Sequence, residues 1–247
     1  MPSKADLKTF RSYRQRKFRE ADGVIVIEGE KLVEETLAAD RLRVHRVLLR
    51  EDVAPRFADL LPHYPHEIVG RKTLEQLTNF RTPPPVWLLA DRPETTFPAF
   101  TGLSLYLDGV QDPGNVGTIW RIADWFGVDG VFGSLETADF WHPKTLQSSM
   151  GAFLRVPATR LSFGELHEHI GANFPIVGAE MRGENPFKTD LPSPALLVIG
   201  SEGQGLTDEL SAALTHRLSI PRAASGGAES LNAAVATGIL VALWQNS

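Results

Sequence analysis

The chain has 247 residues, 43% hydrophobic and 22% charged, with a formal net charge of -5 and no cysteine. The missing cysteine excludes disulfides, thiolate nucleophiles and cysteine metal ligands. The seven histidines form no HExxH pair, and His167 and His169, two apart, point to different sides of a helix, so no metal is expected. No run approaches the ~18 unbroken apolar residues that a bilayer span needs, and the opening MPSKADLKTFRSYRQRKFRE has neither the apolar core nor the cleavage site of a secretory signal. A cytoplasmic protein without a membrane partner is expected.

Residues 1–19 carry Lys4, Lys8, Arg11, Arg14, Arg16, Lys17 and Arg19 against Asp6 alone, in a chain that is otherwise acidic. Such a run is either a solvated helix face or a phosphate-contacting segment. Arg11, Arg14, Arg16, Lys17 and Arg19 are the candidates for nucleic-acid contact, and the interleaved Phe10, Tyr13 and Phe18 pack either on bases or on the domain core. From residue 24 the pattern alternates: VIVIE (24–28) is strand-like, EKLVEETLAA (30–39) has helical spacing, and HRVLL (45–49) is strand-like again. EIV (67–69), KTLEQLTNF (72–80) and VWLLA (86–90) repeat the scheme, with prolines at 83–85 stopping the helix. Residues 1–90 therefore read as a small α/β domain, and the polar, proline-bearing 91–101 as a linker.

Residues 102–247 read as a second domain. Strand patterns at SLYLD (104–108), GVF (130–132), IVGAE (176–180), ALLVIG (195–200) and RLSI (217–220) alternate with helical patterns around 115–126, 143–150, 164–171 and 207–214. That alternation predicts a parallel sheet covered on both faces. The last segment, LNAAVATGILVALW (231–244), is apolar nearly all round and predicts a helix buried on more than one side, within the domain or between subunits.

Ligands in open α/β sheets bind outside the carboxyl ends of the strands, and three glycine-bearing loops follow strands there: DPGNVGTIWR (112–121), GSEGQGL (200–206) and PRAASGGAESLN (221–232). A dinucleotide cradle requires GxGxxG, but Gly200, Gly203 and Gly205 fall at relative positions one, four and six, and no GxxxxGK[ST] occurs. In the first loop Val116, Ile119, Ala123 and Phe126 form the buried stripe of the following helix, which turns Arg121 and Trp125 outward. Arg121 is then a solvated arginine or a ligand contact. Asn115 is a helix N-cap or a functional carboxamide, Glu202 favours the next helix's positive end or serves the site, and Ser230 and Asn232 cap the last helix or do chemistry.

Taken together, LDGVQDPGNVGTIWRIADWFGVDGV, LLVIGSEGQGL and LSIPRAASGGAESLNAAVATGIL resemble the three ordered motifs of the SpoU-type (TrmH-like) RNA 2′-O-ribose methyltransferases of the SPOUT class, and SSMGAFLRVP (148–157) resembles a further family segment. RQRKFREADGVIVIEGEKLVEETL is similar to the family's ribosomal-protein-like substrate-binding domain, which is typical of members acting on large-subunit ribosomal RNA. The resemblance implies a carboxy-terminal SPOUT domain with a deep trefoil knot, S-adenosylmethionine as cofactor, RNA as substrate with rRNA favoured over tRNA, and a homodimer paired through the knotted domains. It implies Asn115, Arg121, Glu202, Ser230 and Asn232 as the catalytic constellation and Ala179, Gly200, Ile220 and Leu231 as the cofactor pocket. The loop Pro221–Ala228 is longer than in many relatives. A Rossmann-type nucleotide enzyme and a non-catalytic RNA-binding protein are the competing classes; the first needs the glycine spacing this chain lacks, the second has no need of the polar constellation.

Overall fold

The structure is a computed structural model, and it describes residues 2–245. The chain divides into two compact units, one of residues 1–94 with 141–154 and one of residues 95–140 with 155–247.

In the first unit α1 (Lys4–Ser12) opens with a capping box between Ser3 and Asp6, and α2 (Arg16–Asp22) ends on Gly23 in the left-handed conformation. Then follow β1 (Val24–Glu28), α3 (Glu30–Ala39), β2 (Val44–Leu49), β3 (His66–Ile68), α4 (Arg71–Leu77) and β4 (Val86–Asp91). The sheet order is β1-β4-β2-β3: β4 runs antiparallel to both β1 and β2, while β2 and β3 are parallel. The strands expected for a βαβ unit are present, with β4 inserted between β1 and β2. Phe10 and Tyr13 are buried with Val26, Leu48, Leu74 and Trp87, so two of the aromatics of the basic segment belong to the core. The Phe10 and Trp87 rings lie 5.2 Å apart.

The second unit begins with β5 (Leu103–Asp108), α5 (Pro113–Phe126) and β6 (Val131–Gly133). Next in the chain is α6 (Pro143–Ser149), in the 141–154 stretch that groups with the first unit. The second unit resumes with β7 (Ala158–Arg160), α7 (Phe163–Ile170), β8 (Ile176–Glu184), β9 (Ala195–Gly200), α8 (Asp208–Ala213), β10 (His216–Leu218) and α9 (Ala233–Trp244). Every pair in its sheet, ordered β10-β8-β9-β5-β6-β7, is parallel. Tyr106, Phe132, Phe163, Leu196, Val198 and Leu210 are among its core. β5 and β9 lie side by side with Asp108 opposite Gly200, which brings the first two glycine-bearing loops to one edge of the sheet. Val116, Ile119, Trp120 and Ala123 are the buried face of α5, while Phe126 is only half-buried. Gly114 and Gly117 lie inside α5 as helical residues.

Candidate active site

The start of α5 is set by Asp112, whose Oδ1 accepts from the N–H groups of Gly114 (2.6 Å) and Asn115 (3.0 Å), with Pro113 at the first helical position. Asn115 is therefore not the cap that its position suggested. Its side chain is left to reach across the sheet edge, where Nδ2 donates to Glu202 Oε1. Asn232 completes a triangle: its Nδ2 donates to Asn115 Oδ1 at 3.0 Å and to Glu202 Oε1 at 3.2 Å. The same Asn232 caps α9, with Oδ1 accepting from Ala234 and Val235 N–H, so here capping and site-building are one residue's work. Asn115 and Asn232, 117 positions apart, thus meet at the carboxylate of Glu202.

Glu202 is held by its loop. Ser201 and Gly205 exchange two backbone hydrogen bonds of 3.1 and 2.9 Å, Gly205 takes φ +71, and a Cβ on Gly200 would meet the Gly205 carbonyl carbon at 2.4 Å. The start of α8 does not use Glu202; the N–H of Thr207 is taken by Asp108 Oδ2 at 2.6 Å. Asp108, 5% exposed, was passed over in the sequence, although a carboxylate closing the apolar run LSLYL is its visible signal.

A cavity of about 560 Å³ opens beside the triangle, in the size range of small-molecule sites. Ala179, Gly200, Ile220 and Leu231 all line it, as do Glu202 and Ser230. Ile199, Leu218 and Leu240 add apolar wall, and Met181 and Arg222, which the sequence reading did not single out, lie on it too. Pro221, Arg222 and Ala228 bring the long third loop over this cavity, and Arg222 Nη1 donates to the Ala228 carbonyl at 3.0 Å, closing the loop on itself. Apolar walls with backbone-rich loops and a few polar groups suit a nucleoside-bearing cofactor that has no phosphate. Ser230 is exposed in that lining and has no hydrogen bond among the described residues. Arg121 is exposed on α5, and neither a hydrogen bond nor an ion pair joins it to the triangle among the described residues. Trp125, one turn further, is 81% exposed.

In the first unit Arg11, Arg14, Arg16 and Lys17 are exposed. Arg14 Nε donates to Asn79 Oδ1 at 3.3 Å, Arg16 pairs with Glu20 at 2.6 Å, and the Lys17 ammonium lies 4.7 Å from the Phe18 ring centre. Arg19 must be removed from the contact set. It is 2% exposed, and its Nη1 donates to the Tyr13 carbonyl at 2.8 Å, because the turn between α1 and α2 needs its carbonyls satisfied where water cannot reach. Among the described residues no cluster of three or more His, Cys, Asp or Glu is placed to hold a metal ion, and no helix is long and apolar enough to cross a membrane.

Three comparisons bear on this arrangement. The SpoU rRNA Methylase family matches residues 102–242, and the MRM3-like substrate binding domain matches residues 4–87. The 23S rRNA (guanosine(2553)-2′-O)-methyltransferase RlmP of Bacillus subtilis is 30% identical over 95% of this chain and 94% of its own. The SpoU methyltransferase AviRb of Streptomyces viridochromogenes, solved with the cofactor AdoMet, superposes with a TM-score of 0.87 at 25% identity over 99% of this chain and 98% of its own. An AdoMet-bound rRNA methyltransferase from Sinorhizobium meliloti does so with a TM-score of 0.85 at 26% identity over 100% and 97%. A match over more than half of the chain, on the residues that form the parallel sheet and its three loops, means that the chain belongs to the SpoU rRNA methylase family.

Proposed function

We propose that this protein transfers a methyl group from S-adenosylmethionine to a ribose 2′-hydroxyl of large-subunit ribosomal RNA. The observation that carries the reading is the convergence of three loops: Asn115, Glu202 and Asn232 hydrogen-bonded in a triangle at the mouth of the cavity lined by Ala179, Gly200, Ile220 and Leu231. RlmP and the AdoMet-bound relatives support the chemistry, and the 23S rRNA substrate of RlmP supports rRNA over tRNA.

S-adenosylmethionine, when bound, supplies a methyl group already activated on a sulfonium. The protein's part is to align the ribose hydroxyl and take its proton. Ile220, Leu231 and the Gly200 backbone would hold the cofactor's nucleoside, with Ala179 beside them. Both carboxamides donate to Glu202 Oε1, and Oε2 has no hydrogen bond among the described residues. Glu202 Oε2 is the acceptor for the hydroxyl proton as the O–H bond breaks late in the transfer. Arg121, whose planar guanidinium offers a fork of N–H donors, positions the target phosphate or the ribose hydroxyl. Ser230 stands on the cavity wall to contact the ribose.

The working form is a cytoplasmic homodimer paired through carboxy-terminal domains whose chain is threaded as a trefoil knot. Trp125 at 81% exposure and Val235 at 52% support an interface on α5 and α9. The exposed Arg11, Arg14, Arg16 and Lys17 of the first unit contact the RNA backbone.

Calorimetric titration separates the competing classes. Binding of S-adenosylmethionine with no binding of NADH is expected; the reverse would return a nucleotide-dependent oxidoreductase, and binding of neither would leave an RNA-binding protein. Arg121→Ala is expected to slow single-turnover methylation of bound RNA at least tenfold with cofactor affinity unchanged, and unchanged turnover would remove Arg121 from the site.

A further inference from the structure

The carboxyl edge of the parallel sheet carries a second cavity, of about 380 Å³, beside the first. The chain runs from β5 outward to β6 and β7, then crosses to the other side for β8, β9 and β10, so the strand order reverses between β5 and β9. Open parallel sheets take their ligands in the crevice at such a reversal, and this cavity lies there. Asp108 at the end of β5, with Gly109 and Gln111, forms one side, residues 201–207 after β9 form the other, and Glu136 borders it from the turn after β6.

Its chemistry differs from that of the first cavity. No lysine or arginine lines it; its polar side chains include the carboxylates of Asp108, Glu136 and Glu202 and the carboxamides of Gln111 and Gln204. Asp108 is 95% buried by its 5% exposure, spends Oδ2 on the Thr207 N–H, and has no hydrogen bond on Oδ1 among the described residues. Such a lining repels phosphate and draws N–H donors. Residues 201–205 are wall to both cavities, and Glu202 borders both.

We propose that this cavity receives the base of the nucleotide whose ribose is methylated, and that the base is guanine. The inference rests on the reading of the protein as a ribose methyltransferase. A base in this crevice sets its own ribose beside Glu202, at the mouth of the methyl-donor cavity. An unstacked base is read along its Watson–Crick edge. Guanine offers adjacent N–H donors there, N1–H and the N2 amino group, which one carboxylate receives together, and its O6 accepts from a carboxamide. Uracil offers a single N–H there, at N3, between two carbonyl oxygens that the carboxylates would repel. Glu136 is exposed at the rim and free to close on such an edge, and Gln111 or Gln204 supplies the donor to O6.

The test uses the full-length protein, methyl-labelled S-adenosylmethionine and total RNA from cells lacking the protein, with the product digested to nucleosides and identified by mass spectrometry. Wild type is expected to yield 2′-O-methylguanosine. Glu136→Gln and Gln111→Ala, both at exposed positions, are expected to lower kcat/KM for RNA at least about tenfold while the S-adenosylmethionine Kd, which also reports an intact fold, stays within twofold. A different 2′-O-methylnucleoside overturns the guanine assignment, and variants as active as wild type overturn the pocket. A wild type that makes no 2′-O-methyl product overturns the underlying methyltransferase reading, an outcome set apart because the variants then play no part in it.

Discussion

Asn232 uses the two ends of one carboxamide for two purposes: Oδ1 caps α9, and Nδ2 ties Asn115 to Glu202. Asn232→Asp keeps the cap and loses the donor, while setting a second carboxylate against Glu202. Thermal unfolding is expected to change by less than about 1 kcal/mol, whereas single-turnover methylation falls at least tenfold; full activity in this variant would show that the triangle is not needed. Asn232→Ala is expected to lose activity and about 1 kcal/mol of stability as well, since it leaves the α9 donors uncapped. In the basic segment the residues divide. Arg19→Ala removes a buried donor from the Tyr13 carbonyl and is expected to cost about 1–3 kcal/mol in urea unfolding. Combined replacement of Arg11, Arg16 and Lys17 by alanine is expected to leave unfolding nearly unchanged and to weaken RNA binding with a shallower salt dependence, by about one unit of slope for each lost phosphate contact; an unchanged slope would take these residues off the RNA. The sequence could separate neither pair fully. Asp112 and Asn115 both suit a helix start, and Pro113 at the first helical position was the sign that Asp112 is the cap. Arg19 shares its charge with its neighbours, and only the fold of the α1–α2 turn buries it.

The element that holds Glu202 in place is the turn between Gly200 and Gly205. A methyl group on Gly200 would collide with the Gly205 backbone, while one on Gly203 meets nothing within 4 Å. Gly200→Ala is expected to abolish calorimetric binding of S-adenosylmethionine, because the turn must open and carry its cavity wall with it; Gly203→Ala is the matched control and should bind as wild type does. Equal binding by both would show that the turn does not shape the cofactor site. Long elements with strong periodicity were legible before the structure, and α3 and β9 keep their expected limits. Short or polar ones were not. β7 is three residues, Ala158–Arg160, with a proline immediately before it, and β8 runs four residues past IVGAE through the exposed MRGE, of which only Glu184 pairs with β10. That pair, Glu184 with Leu218 of β10, lies across a register shift that no local pattern records.

At the scale of the molecule, strand and helix alternation made a parallel sheet readable from residue 104 onward, because burial on both faces imposes continuous apolar strands. The return of residues 141–154 to the first unit was not readable: periodicity marks α6 as a helix without saying which core it covers. The cofactor pocket was legible only through resemblance, since Ala179, Gly200, Ile220 and Leu231 share no spacing that chemistry would dictate. Stability should also depend on pH through Glu28, 3% exposed at the end of β1. Burial pushes its carboxyl up to about 7, against the lowering effects of Thr78, the Asn79 backbone and Arg14. A raised folded pKa makes the contribution of this group fullest below its unfolded value and lost as pH rises through about 7. Urea unfolding at pH 5 and pH 8 is expected to show wild type losing up to about 3 kcal/mol more than Glu28→Gln across that interval; equal losses would mean that Glu28 is not protonated in the folded protein. The most direct measurement is the mapping of 2′-O-methylation in ribosomal and transfer RNA from cells with and without this protein. One ribose in large-subunit rRNA is expected to lose its methyl group when the protein is absent and to regain it with wild type but not with Glu202→Ala; identical methylation maps in the presence and absence of the protein would contradict the assignment.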